Sequence, residues 1–552
     1  VEARLAASSQ AGRRGRAGAW WLLALIPLFL LGQRHGLWGA DEPREAEIAR
    51  EMYVSSDWVV PRLDGRPFLE KPPLTHWAAA VVFHVIGGAS AEWCRVPSAL
   101  WGMLGSVACF WLGSMLFGRR VGVLAAFVLA TSQEWLLDTH TLLADAPLAA
   151  GVVWSLALFW YGYTSGSRGQ GHVAYFLAAG ATGVAFLAKG PIGLVLPAAG
   201  ILVFLAWRKE LREAFRLVNP ANVTVFAALA VPWLLLLRLR AGDTVFHTFF
   251  WDNMVLRVFS ASADHAAPPW YYALAVFGVM VPWALFIPPV VYGLARPGKS
   301  VVEGRQRSWQ FLVSIIAGPL VLLSLASAKR PSYLLPLMPA FAVAIAAWLD
   351  GALQEREGRW TRIWRVAGVW VLGAVAVAVW AFSGYLALQQ GVDLWWSFLG
   401  LAVSALGVAA LGCAGRRRAA RRVPAVAAGL ALLTSLSLVS PSTFHAIDAR
   451  RGYRTLTAAL DNVAVPGTRF YGYGMGEREL GVVCFHLRET IPQVGGAEGL
   501  RRILLDPENV VLVNKLLMEQ QRADGTWPEM AAVVAEPPMR LRHFVLVRRA
   551  LE

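Results

Sequence analysis

The chain has 552 residues, of which 57% are hydrophobic and only 16% charged, with a mean hydropathy of +0.49. Soluble domains run about 45–50% apolar and about 25% charged. This composition therefore excludes a disordered chain, a coiled coil and an ordinary soluble enzyme, and leaves a polytopic α-helical membrane protein. The net charge of +15, from 51 Lys+Arg against 36 Asp+Glu, fits basic loops on the non-translocated side and contacts with anionic membrane lipids. A nucleic-acid partner is not expected.

Residues 1–17 read as a basic cytoplasmic tail carrying Arg4, Arg13, Arg14 and Arg16. The apolar run Trp20–Trp38 is long for a signal-peptide core and reads as a retained first transmembrane helix. With about 20 apolar residues per crossing, about thirteen spans are expected. They fall near 18–38, 92–117, 121–137, 144–163, 173–188, 190–207, 221–239, 270–294, 309–327, 332–350, 366–388, 395–413 and 423–440. Two shorter stretches, 44–54 and 74–87, read as helices lying in the interface. Alternate connections are basic, from Arg119 and Arg120 through Arg208–Arg216 to Arg416–Arg422, as the positive-inside rule requires of this count.

The opposite side receives three larger pieces: 39–91, 240–269 and 441–552. So the expected organisation is a membrane domain over 18–440, with periplasmic loops 39–91 and 240–269, and a small soluble α/β domain over 441–552. Within the latter, VVCF at 482–485, NVVLVN at 509–514 and HFVLVRR at 543–549 read as strands; Tyr453–Leu460 and Ala497–Leu505 read as helices. There is no internal repeat, which weighs against an inverted-repeat transporter. The four cysteines form no CxxC pair, and no structural disulfide is expected.

The first outer loop is the richest in candidate chemistry. Asp41 and Glu42 precede Pro43, a pattern that starts a helix. Such carboxylates cap the helix, or act as a general base or steady a developing cation at the membrane surface. Glu70 and Lys71 are adjacent and therefore point different ways, and Pro72-Pro73 holds the following chain extended. Lys71 can bind a phosphate as a point charge or snorkel. Asp138, His140 and Asp145 lie around the next outer connection, and Asp145 either caps a span or serves a function at the membrane edge. Lys189, Lys329 and Arg330, with Arg257, are cations on the outer side, against the positive-inside trend. An anionic ligand there accounts for them; snorkelling or ion pairing is the alternative.

No cofactor is required by any motif. The histidines lack ligand spacing, and Glu70 with His265 is the one pair offered for a divalent ion such as Zn²⁺ or Mg²⁺. No GxGxxG turn or GxSxG elbow is present.

The ordered series DEPREAEIAREM (41–52), Pro61–Gly65, FLEKPPL (68–74), AKGPIG (188–193) and SAKRPSYLLPLMP (327–339) resembles bacterial lipid-linked sugar transferases of the GT-C fold. The closest resemblance is to the 4-amino-4-deoxy-L-arabinose lipid A transferases, related to the dolichyl-phosphate-mannose protein mannosyltransferases. It covers about residues 20–350. It implies a polyprenyl-phosphate sugar donor and inverting transfer at the periplasmic face of the inner membrane, with lipid A as acceptor. By the same resemblance Asp41, Glu42 and Asp145 are catalytic. Lys71, Lys189, Lys329 and Tyr333 hold the donor phosphate and Glu70 touches substrate; Arg257, as an outer-side cation, and Arg44, beside the acidic pair, join these two sets by position. Two departures stand out. Where the family carries Arg-Tyr-Ala-Glu-Ile, this chain has Arg44-Glu45-Ala46-Glu47-Ile48, and where it carries Glu-His near the second outer loop, this chain has Asp252-Asn253. Transfer to a protein, an O-antigen or another envelope glycan is the alternative within the class; a flippase for a lipid-linked anion is the alternative outside it. A monomer is expected.

Overall fold

The computed structural model describes residues 25–39, 41–68, 70–256, 266–295, 303–351, 359–390, 395, 398–399, 401–402, 423–451, 453–537 and 544–550. The basic tail, Cys413, Arg257 and His265 lie outside the described residues, as does most of the expected span at 395–413.

Among the described residues, seven helices are long and apolar enough to cross a membrane, or eight if the bent pair Gly429–Leu438 and Pro441–Asp448 is one crossing. The difference from about thirteen has local causes. The run at 121–137 gives a helix Arg119–Ala130 and then breaks at Thr131 and Ser132, whose hydroxyls bond back to the carbonyls of Phe127 and Val128. The run at 190–207 gives Ile192–Arg208, just under the length of a crossing. The run at 270–294 is divided into Tyr271–Val279, Trp283–Phe286 and Ile287–Ala295, with Pro282 between the first two. Of the first expected span, the described part holds only the short helix Ile26–Leu30.

Asp145–Thr164 and Pro331–Leu349 form the centre, with 72% and 83% of their apolar windows buried against 22% for Pro220–Ala241 and Val366–Gln390. Small residues let the surrounding helices approach one another. A Cβ on Gly193 would lie 2.3 Å from the backbone of Ala185, and one on Gly318 would lie 2.7 Å from the carbonyl of Ala199. Asp145–Thr164 and Arg168–Lys189 form an antiparallel hairpin, so Asp145 and Lys189 meet at one end and the 165–167 turn lies at the other. Tyr163 bonds Glu210 at that far end, which brings the basic 208–216 connection to the same side.

The C-terminal unit is a four-stranded mixed sheet flanked by helices. Arg469–Tyr473 pairs parallel with Asn509–Asn514; Phe544–Arg549 and Ala531–Ala535 follow antiparallel. Its faces alternate by residue. Val510 and Leu512 pack with Leu456, Leu460 and Val483, while Val511 and Val513 pack with Leu500 and Leu504. VVCF belongs to the helix Glu477–Leu487, not to a strand. Four apolar residues suit a buried helix turn as well as a strand, and Glu477 and Glu479 in the first turn suit the helix.

The outer-loop helix Glu42–Ser55 is not an interfacial helix on lipid. Eleven of its residues are buried, from Glu42 to Met52, charged ones included. It is enclosed by the helix Leu74–Ile86 on one side and by Glu477–Leu487 of the C-terminal unit on another. Gly481 makes the second contact close, since a Cβ there would lie 2.7 Å from the backbone of Arg44. By contrast Leu74–Ile86 keeps Val81, Val85 and Ile86 exposed, in keeping with a helix at an apolar boundary.

Candidate functional site

The site grows from the start of the outer-loop helix. Asp41 occupies the N-cap position but its side chain makes no cap hydrogen bond. Its carboxylate accepts from Arg44 at 3.0 Å and from Arg330 at 3.2 Å instead. Burial alone would raise its pKa. Lys71, Arg44 and Arg330 together outweigh that, and the carboxyl is held below its ordinary value.

Glu42, next along, has a different environment. Arg95 grips both oxygens at 2.6 and 3.1 Å, and the backbone N–H groups of Trp38 and Leu142 donate to the same two oxygens. Arg95 also donates to the carbonyls of Gln33, His35 and Gly36. Both side chains are essentially inaccessible. This pair ties the outer-loop helix to the end of the preceding chain, and Glu42 has no face toward a ligand.

Arg44 is the crossing point of the carboxylates. Its guanidinium lies 3.0 Å from Asp41, 3.2 Å from Glu70, 3.7 Å from Glu45 and 3.0 Å from Glu477 of the C-terminal unit, over the ring of Phe68. Glu45 is wholly buried and pairs with Lys71 at 2.5 Å and His76 at 2.6 Å. Burial opposes its charge, but Lys71, His76 and Arg44 hold its carboxyl well below the usual range. In turn, burial works against the Lys71 ammonium, and Glu45 more than restores it. As the sequence indicates, Glu70 and Lys71 point to different partners.

A second cluster adjoins the first. Lys189, the last residue of its helix, donates to Asp145 at 2.5 Å and lies 4.8 Å from the centre of the Tyr333 ring. Asp145 begins its helix yet does not cap it. Asp138 is buried beside this pair. The segment 329–333 joins the two clusters: Arg330 reaches Asp41, and Tyr333 lies under Lys189. Lys329 between them is buried and donates to the carbonyls of Ala267 and Ala326, so it fixes the turn.

The structure thus brings together Asp41, Arg44, Glu70 and Lys71 in one network, and Asp145, Lys189 and Tyr333 in the next. Glu42 and Lys329 face inward. Glu45, His76 and Glu477 are the members that sequence reasoning did not select, while Arg330, read there as an outer-side cation for an anionic ligand, pairs with Asp41. Glu45 carries a visible signal, the acid in place of an aromatic; Glu477 lies more than 400 positions away, and nothing in its surroundings announces it. Among the described residues no group of three or more His, Cys, Asp and Glu side chains converges as for a metal ion. Glu70 is engaged by Arg44, and Asp252 lies near His247 at 3.9 Å.

The arrangement gathers carboxylates and cations at one end of the buried helices. A family model described as dolichyl-phosphate-mannose-protein mannosyltransferase matches residues 70–235. The undecaprenyl phosphate-alpha-4-amino-4-deoxy-L-arabinose arabinosyl transferase of Aeromonas hydrophila is 30% identical over 400 residues, 69% of this chain and 71% of its own. That of Edwardsiella ictaluri is 28% identical over 435 residues, 72% of this chain and 76% of its own. In fold, the chain is similar to ArnT from Cupriavidus metallidurans bound to undecaprenyl phosphate, with a TM-score of 0.73 at 23% identity, covering 96% of this chain and 98% of that one. The archaeal oligosaccharyltransferase AglB from Archaeoglobus fulgidus is more distant, with a TM-score of 0.50 at 13% identity, covering 94% of this chain and 71% of that one. The chain therefore belongs to the undecaprenyl phosphate-4-amino-4-deoxy-L-arabinose arabinosyl transferase family, and is a multi-pass membrane glycosyltransferase of the GT-C fold that uses a lipid-linked sugar.

Proposed function

We propose that this enzyme moves 4-amino-4-deoxy-L-arabinose from undecaprenyl phosphate to a phosphate of lipid A, with inversion, at the periplasmic face of the bacterial inner membrane. The N-terminus is then cytoplasmic and the C-terminal unit periplasmic. The observation that carries the site reading is the Asp41–Arg44–Lys71–Arg330 network lying beside Asp145–Lys189–Tyr333. In the transfer, an acceptor oxygen forms the new bond to the anomeric carbon as the bond to the donor phosphate oxygen breaks. The electron pair leaves with undecaprenyl phosphate. Lys71, Lys189 and Arg330 supply positive charge for that departing phosphate, and the low-dielectric surroundings strengthen their effect. Asp41, kept ionised by its cations, orients the attacking group or takes its proton. Asp145 holds Lys189 against Tyr333, and Lys329 fixes the turn that presents Arg330. The alternative acceptors of the class share this donor chemistry.

The test is mass spectrometry of lipid A and undecaprenyl-phosphate sugars from cells making the wild type or Asp41→Asn. The expected result is an aminoarabinose-sized addition to lipid A with the wild type only, and donor accumulating with the variant. Donor consumption by the wild type without any change in lipid A would overturn the acceptor. Equal transfer by Asp41→Asn would overturn the site.

A further inference from the structure

We propose that Glu45 is the positioning carboxylate of the donor site, holding the Lys71 ammonium where it meets the lipid-linked phosphate. The inference rests on the donor-site reading given above. Lys71 lies in an irregular stretch between the small hairpin Arg62–Pro67 and the helix Leu74–Ile86, so no helix or strand aims it. Pro72 and Pro73, which follow, lack backbone donors and stiffen the approach without choosing a direction for the side chain. What chooses the direction is Glu45 at 2.5 Å.

Glu45 is itself fixed on every side. It sits in the first turn of the outer-loop helix, and its backbone N–H donates to the carbonyl of Asp41 at 3.0 Å. One oxygen takes Lys71, with Arg44 at 3.7 Å; the other takes Nε2 of His76 at 2.6 Å. His76 belongs to the helix Leu74–Ile86, so this one carboxylate ties together two helices and the strand of chain between them. An ammonium has three N–H donors. Glu45 uses one and leaves the others for a phosphate, so it orients Lys71 without consuming it. The neighbouring charged groups are Asp41, Arg44, Glu70, Arg330 and Glu477, in addition to His76. Removing the Glu45 charge leaves Lys71 in a buried setting against Arg44, with Asp41 as the weaker opposing carboxylate. Both burial and Arg44 then favour the neutral amine.

The experiment measures donor KM, acceptor KM, kcat and the pH dependence of kcat/KM for Glu45→Gln and Glu45→Asp in the full-length enzyme. Glu45→Gln is expected to raise donor KM roughly 10- to 100-fold with acceptor KM unchanged. Its basic limb should move to lower pH. Glu45→Asp should return most of that limb. A loss confined to kcat, with the wild-type basic limb, would overturn the proposal. A second measurement keeps the test independent of folding: binding of undecaprenyl phosphate to the wild type, Glu45→Gln, Lys71→Met and Lys71→Met/Glu45→Gln. With Lys71 absent, removing Glu45 should weaken binding less than about twofold, since the pair acts as a unit. An equal loss in both backgrounds would overturn it. Full activity in Asp41→Asn would instead sink the site reading, whatever Glu45 does.

Discussion

Replacing Arg95 by Met should destabilise the protein more than the loss of any single surface charge. The guanidinium is fully buried and makes five hydrogen bonds: two to Glu42, and one each to the carbonyls of Gln33, His35 and Gly36, with one nitrogen serving both Glu42 and Gly36. Breaking a buried pair from one side costs about 3–5 kcal/mol, because the partner charge remains without its counterion. Glu42 would keep only the N–H groups of Trp38 and Leu142. Three carbonyls would also lose a donor, at about 1 kcal/mol each where water cannot replace it. A loss of about 4 kcal/mol or more is therefore expected, a large part of the roughly 5–15 kcal/mol that holds a typical fold. Thermal unfolding of the purified enzyme in detergent, followed by tryptophan fluorescence, reads this as a clear fall in midpoint. Arg95→Lys keeps the charge but not the planar fork, and should fall between wild type and Met. Adding Glu42→Gln to Arg95→Met removes the stranded charge and should recover part of the loss. A Met variant that unfolds with the wild type, or a double variant no better than the single, would refute the reasoning.

Gly481→Ala places a methyl against the backbone of Arg44 and should cost about 1–3 kcal/mol in docking the C-terminal unit; faster limited proteolysis of that unit, with reduced transfer, is the expected readout. Lys189→Met leaves Asp145 without its counterion and should raise donor KM by roughly tenfold or more, measured in a transfer assay with purified donor. Acid should loosen the outer loop. Asp41 and Glu45 have folded-state pKa values below their ordinary ones, so as pH falls through about 4.5 the unfolded chain takes up protons first. Their stabilisation is complete above that pH and drains as pH falls toward the folded values. Hydrogen exchange in residues 41–55 should rise over this window in the wild type and over a smaller range in Glu45→Gln.

Hydropathy alone delivers the membrane class, and the ordered motifs deliver the enzyme class, because both depend on residue type and order along the chain. The breaks at Thr131–Ser132 and near Pro282 are less visible: an apolar run has the same mean hydropathy whether it is one helix or two. The outer-loop helix was legible as a helix from Asp-Glu-Pro, but not its burial. Six charged side chains in its first ten residues suggest a solvated face; their partners make burial affordable, Arg50 for Glu47 and the Gly65 N–H for Glu51 nearby, and Lys71 and His76 for Glu45, Arg95 for Glu42 and Glu477 for Arg44 from further along the chain. Lys329 and Arg330 show the same limit. Both are cations at one turn; one donates to carbonyls and the other reaches Asp41, and backbone direction alone separates them.

The contact of the C-terminal unit with the outer-loop helix has a bearing on how such enzymes diversify. Glu477 and Gly481 touch Arg44 itself, and Asp64 in the hairpin accepts from the backbone N–H of Ile491. The unit is thus not a detachable module that can be exchanged between relatives to change the acceptor. A chimera carrying a foreign C-terminal unit would need residues 41–67 from the same donor, so that both halves of the seam arrive together. Recombination points placed after residue 67 and before residue 441 divide the inheritance of that seam, and functional hybrids should be rare among them.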